Sequence, residues 1–122
     1  MEREAIGPLK QIPISQAVRC GGFIFVSGNL GLRQGTSEVV PGGIEEETRQ
    51  ALDNIAAVLR SAGSDMDRVA KTTVYLTDMA DFAAMNAVYR RYFPADPPAR
   101  TTVQVAGLAL GARIEIEAIA LA

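Results

Sequence analysis

The chain has 122 residues, one cysteine, no histidine and a formal net charge of −2. That length predicts a single domain over residues 1–122, and the mildly acidic balance leaves no phosphate-backbone footprint, so no nucleic acid is expected as a partner. Without histidine the chain lacks the commonest general base and metal ligand and every Ser-His or Cys-His nucleophile pair.

The N-terminal stretch MEREAIGPLKQIPIS has no basic start followed by an apolar run, so no secretory leader is expected. Gly7, Pro8 and Pro13 make residues 1–12 read as an irregular lead-in. AVRCGGFIFVSG then gives two strands split at Gly21-Gly22, a hairpin signal. Cys20, at the end of the first of these, reads as a small buried hydrophobe. As the sole cysteine it cannot form an intrachain disulfide, which fits a reducing, cytoplasmic setting. A loop follows from about Asn29 to Gly43, with a short strand near Val39-Val40. The GNLG within it could turn backbone amides towards an anion, although a plain turn is the simpler reading.

IEEETRQALDNIAAVLRSAG is the clearest helix, with Ile44, Ala51, Leu52, Ile55, Val58, Leu59 and Ala62 at helical spacing. Glu45, Glu46 and Glu47 read as its solvated first turn, and Gly63 as its C′ residue. RVAKTTVYLTD is a β-branched strand. DMADFAAMNAVYRRYF is a second helix, capped by Asp78 or Asp81 and stopped by Pro94, Pro97 and Pro98. RTTVQVA and RIEIEAIAL close the chain as strands. The order is β-β-(β)-α-β-α-β-β, an α+β fold with two helices on one face of a mixed sheet of about six strands. FIFV, VYL and AIAL are apolar at both parities, whereas a sheet with one wet face should alternate. Two helices cover one face only, so the other is expected to meet another copy of the chain. No apolar run approaches ~18 residues, so no membrane span is expected.

Two charge placements stand out against this pattern. Arg100 follows Pro97-Pro98-Ala99 at the mouth of a strand, on one face with Thr102 and Gln104. That set could grip a carboxylate bidentately, or Arg100 could form a structural ion pair with Glu115 or Glu117. The two glutamates share a strand face, roughly 7 Å apart by strand rise. Loop length and bulges leave both readings open.

PPARTTVQVAGLALGARIEIEAIA resembles the C-terminal signature of the RidA/YjgF family of imine and enamine deaminases. The likeness extends back through AKTTVYLTDMADFAAMNAVYRRYF, GGIEEETRQALDNIAAVLRSAG and SQAVRCGGFIFVSGNLGL, from about Pro13 to Leu121. The resemblance implies a sandwich like the Bacillus-type chorismate mutase, assembled as a homotrimer with active sites between subunits. It implies hydrolysis of 2-aminoacrylate and related 2-imino acids to 2-oxo acids and ammonia, with no metal or organic cofactor. Carried across residue by residue, it makes Arg100 the carboxylate clamp and Glu115 the group that activates water. Ser27, Gly28 and Asn86 fall on the family's substrate-binding positions. Two further pocket positions depart from the family pattern, Ile14 where tyrosine is usual and Thr102 where cysteine is usual.

Three activities fit such a chain differently. An imine deaminase needs Arg100 and Glu115 together. A non-catalytic binding module for small carboxylate metabolites would use the same cleft and is favoured by Ile14 and Thr102. A ribonuclease, an activity attached to relatives in this family, is opposed by the acidic charge and the missing histidine.

Overall fold

The computed structural model describes residues 2–122. Six strands and two helices are laid out as β1 (Arg3–Pro8), β2 (Ser15–Cys20), β3 (Phe23–Leu30), α1 (Gly43–Ser61), β4 (Val69–Leu76), α2 (Phe82–Tyr92), β5 (Ala99–Gln104) and β6 (Ile114–Leu121). They form one sheet in the order β1-β2-β3-β6-β4-β5. Only the β4–β5 pair is parallel, because α2 carries the chain back over the sheet between them; every other pair is antiparallel.

The local signals act as their chemistry requires. Gly21 and Gly22 take φ values of 60° and 84°, the left-handed pair that lets a two-residue turn follow the twist of β2 and β3. The Asp78 side chain accepts the Ala80 N–H at 2.9 Å and starts a 3-10 turn that leads into α2, whereas Asp81 makes no capping bond. Gly63, at φ 82°, ends α1 just past its C-cap.

Alternation sorts the sheet into two faces. Along β6, Ile114, Ile116, Ala118 and Ala120 are buried while Glu115, Glu117 and Ile119 are only half-buried. Val74 and Leu76 of β4 and Ile24 and Val26 of β3 join the buried set under Leu52, Ile55 and Leu59 of α1 and Met85 and Tyr89 of α2. Each large member of this core contributes roughly 1.5–3 kcal/mol by leaving water. Both helices therefore lie on one face. The other face is open and apolar: Phe25 stands opposite Ile119 and Phe23 opposite Leu121, and Phe23, Phe25 and Leu121 are 42%, 43% and 44% exposed.

Three local expectations are corrected. The lead-in over 1–12 is not irregular throughout: residues 3–8 form β1, paired with β2 from Arg3↔Cys20 to Pro8↔Ser15. Pro8 is tolerated because β1 is an edge strand and Pro8 is its last residue. Met1 lies outside the described residues. No strand forms at Val39-Val40, where a single Leu32↔Val39 bridge closes the loop. Glu47 is not part of a solvated helix start. It is buried, and its Oε1 accepts the Arg113 backbone N–H at 2.8 Å, which ties α1 to the entry of β6.

Candidate active site

Arg100 stands on β5 beside Thr72 of β4, so its side chain rises on the helix-covered face. There it meets α2. The guanidinium carbon lies 4.8 Å from the centre of the Tyr89 ring and 5.6 Å from that of Phe82, and Nη1 approaches Met85 Sδ at 3.9 Å. Phe82, Met85 and Tyr89 recur at helical spacing, so a single face of α2 supplies all three contacts. A cation over an aromatic ring is stabilised by ~0.5–2 kcal/mol without being neutralised. The ion pairs among the described residues are Arg19–Glu4, Arg33–Glu38, Arg49–Glu46 and Arg113–Glu47, and Arg100 has none. Its charge is thus held in place by neutral groups and remains available to an anion.

Asn86 and Arg100 line one cleft of about 320 Å³, walled by Tyr89, Phe93, Pro97 and Pro98. Thr102 follows Arg100 on the same face of β5, but its Oγ1 is buried and finds no hydrogen-bond partner among the described residues. Gln104, next along, accepts the Met79 N–H at 2.7 Å and fixes the turn before α2.

Glu115 belongs to a second group, on the open face. It stands on β6 between Leu30 of β3 and Tyr75 of β4. A register shift between Val26 and Asn29 makes Ser27 and Gly28 together oppose Glu117, a bulge that bends β3 beside the carboxylates. The Glu115 carboxylate lies directly over Gly28: a Cβ there would collide with Oε2 and come within 2.8 Å of Cδ. Ser27 Oγ donates to the Ser15 carbonyl at 2.6 Å, linking this group to the start of β2. Ile14, immediately before, is 45% exposed at the same end. Burial first, then the neighbouring Glu117 charge, push the Glu115 carboxyl above its ordinary 4.5. Glu117 itself accepts from Tyr75 Oη at 3.2 Å.

The seven positions singled out from the sequence therefore fall into two sets. Arg100, Asn86 and Thr102 lie between α2 and β5; Glu115, Gly28, Ser27 and Ile14 lie on or beside the open face around β3 and β6. The ion pair that the sequence left open does not form, because the sheet stands between the charges. By strand spacing and rise, the α-carbons of Arg100 and Glu115 are roughly 14 Å apart within one chain. Tyr89, Phe82 and Met85 form an apolar stripe on α2, and their contact with Arg100 becomes visible once β5 is seen at the sheet edge beneath α2. Among the described residues no three His, Cys, Asp or Glu side chains gather as a metal site. Among the described residues, no helix is long and apolar enough to cross a membrane.

Known proteins share this framework. A family model described as Endoribonuclease L-PSP matches residues 5–122. A 2-iminobutanoate/2-iminopropanoate deaminase of Mus musculus is 49% identical over 109 residues, which are 89% of this chain and 81% of that protein. The crystal structure of YyfA from Yersinia pestis, of the Rid protein family, is 37% identical with a TM-score of 0.93, covering 99% of this chain and 100% of that one. The crystal structure of E. coli TdcF with bound serine is 36% identical with a TM-score of 0.86, covering 94% and 92%. Matched along nearly its whole length in both sequence and fold, the chain belongs to the endoribonuclease L-PSP family, which is the RidA/YjgF family.

Proposed function

We propose that the protein hydrolyses reactive 2-imino and enamino acids to 2-oxo acids and ammonia, in clefts formed between copies of the chain. The observation that carries this reading is the pair of uncompensated charges. Among the described residues Arg100 has no carboxylate partner, and Glu115 is a partly buried carboxyl raised above its usual range, with a bare glycine beneath it. Two groups that would neutralise one another in contact are kept apart by a sheet. They serve one substrate only if Arg100 of one copy faces Glu115 of another. The exposed Phe23, Phe25 and Leu121 give the open face a reason to be covered, and a homotrimer is the assembly proposed.

The chemistry follows from these two groups. Arg100 holds the substrate carboxylate through paired N–H donors and so fixes the adjacent C=N carbon. Glu115 takes a proton from a water molecule as the water oxygen bonds to that carbon, and passes that proton to the imine nitrogen to give an amino alcohol. Glu115 then takes the hydroxyl proton and delivers it to the same nitrogen as the C–N bond breaks, so ammonia leaves a 2-oxo acid and Glu115 is again a carboxylate. A carboxyl with a raised pKa suits this exchange, because its carboxylate takes the water proton more readily than an ordinary one does. General acid–base help of this kind is typically worth ~10²–10⁴-fold. Asn86, Ser27 and Gly28 fit the reading as substrate-binding positions at the margins of the two half-sites.

The test is release of 2-oxo acid from an imine generated in situ by an amino-acid dehydratase. Wild type should accelerate it, and Arg100→Ala should fall near background. No acceleration by wild type across several amino-acid precursors would overturn the proposal. A second reading, a binding module for small carboxylates, is favoured by Ile14, an exposed alkyl group beside the Glu115 set. It predicts a rise in Tm with a 2-oxo acid that is not consumed.

A further inference from the structure

Thr72 and Arg100 are register partners on adjacent strands. Thr72 Oγ1 shares a 2.7 Å hydrogen bond with Tyr89 Oη, both side chains being buried. The Tyr89 ring then lies 4.8 Å from the Arg100 guanidinium carbon. These three contacts form a closed circuit: backbone to backbone, hydroxyl to hydroxyl, ring to cation. Phe93, with its ring centre 4.7 Å from that of Tyr89, leaves the tyrosine little room to turn. We infer that Tyr89, anchored by Thr72, is a positioning residue that sets the direction in which Arg100 presents its N–H groups to a carboxylate.

A guanidinium on a flexible stem loses conformational freedom when it binds, and a site that fixes it beforehand avoids that loss. An acidic anchor would also fix it, but would compete with the incoming anion. A ring does not compete, since it attracts the cation without neutralising it or accepting its N–H groups as a carboxylate would. The hydroxyl also has a specific task. The Thr72 bond holds the far end of the ring to the strand that carries Arg100's neighbour, so cation and ring share one frame of reference.

The inference rests on the reading of Arg100 as an anion clamp, and the experiment separates the two. 2-Oxobutanoate and its neutral amide are titrated into the full-length protein, with binding followed by NMR. The quantity read is the preference for carboxylate over amide. Arg100→Ala should abolish it. Tyr89→Leu should lower it about tenfold, the worth of a desolvated cation–ring contact. Tyr89→Phe and Thr72→Val, which keep the volume and break only the hydroxyl bond, should each lower it about threefold. If Arg100→Ala leaves the preference intact, or wild type has none, the clamp reading falls and this inference with it. If Arg100→Ala abolishes the preference but Tyr89→Phe and Thr72→Val keep the wild-type value, the inference alone is overturned. A loss shared equally by acid and amide is likewise a merely structural effect and overturns it. Should Tyr89→Leu fail to fold, the two volume-conserving variants decide.

Discussion

Gly28 has an ordinary φ, so its value lies in the space that a missing side chain leaves for the Glu115 carboxylate. In Gly28→Ala the new methyl must displace that carboxylate, which is the free end of a flexible side chain and can swing away at little cost to the fold. The expected outcome is a loss of about 10²-fold in kcat/KM, the usual effect of misplacing a reacting group by about 1 Å. The thermal melt should stay close to that of wild type. Glu115 itself gives the reverse pattern. Its folded-state pKa lies above its unfolded value, so the stability it contributes is fully present below the unfolded pKa and is lost as pH rises through the folded one. At neutral pH its ionised form therefore works against the fold. Glu115→Gln should melt higher than wild type at pH 7 while losing activity, and the gap should close as the pH falls to about 4. Melting curves across that range check both statements.

At the scale of elements, α1 seats on the end of β3 through a contact between backbones. A Cβ at Gly31 would lie 2.6 Å from the Glu47 carbonyl oxygen and 2.7 Å from its Cα. A helix backbone cannot yield as a side chain does, so Gly31→Ala must lift α1 from the sheet. That should cost about 2–3 kcal/mol and lower Tm by roughly 10 °C. The same helix shows what the sequence could convey. The period of Ile44, Ala51 and Leu52 announced α1, yet Glu47 sits three residues past Ile44 on that buried stripe, and its charge concealed the fact. β1 was hidden in a similar way, because Gly7 and Pro8 signal a break even where an edge strand can end on proline. The parity of Arg100 and of Glu115 was readable within each strand. Their relation to each other was not, since it depends on β6 inserting between β3 and β4 and leaving β5 at the edge. No local pattern encodes that order.

For the whole molecule, the open face and the divided site point to the same conclusion. In the proposed reading a protomer carries the clamp on one side of its sheet and the acid–base group on the other. The proposed assembly gives each cleft one of each from different copies. Arg100→Ala and Glu115→Gln proteins, each inactive alone, should therefore recover activity when unfolded together and refolded as mixed oligomers. Random mixing leaves about a quarter of clefts with both native groups. Assayed imine hydrolysis should rise to about that fraction of wild type. Activity that stays at background would overturn the shared cleft.

A sheet that keeps a cation and a carboxylate apart also has a genetic meaning. Lesions at Arg100 and at Glu115 would fall into different complementation groups although they lie in one gene. A cell carrying one of each could clear the imine that neither parent strain can.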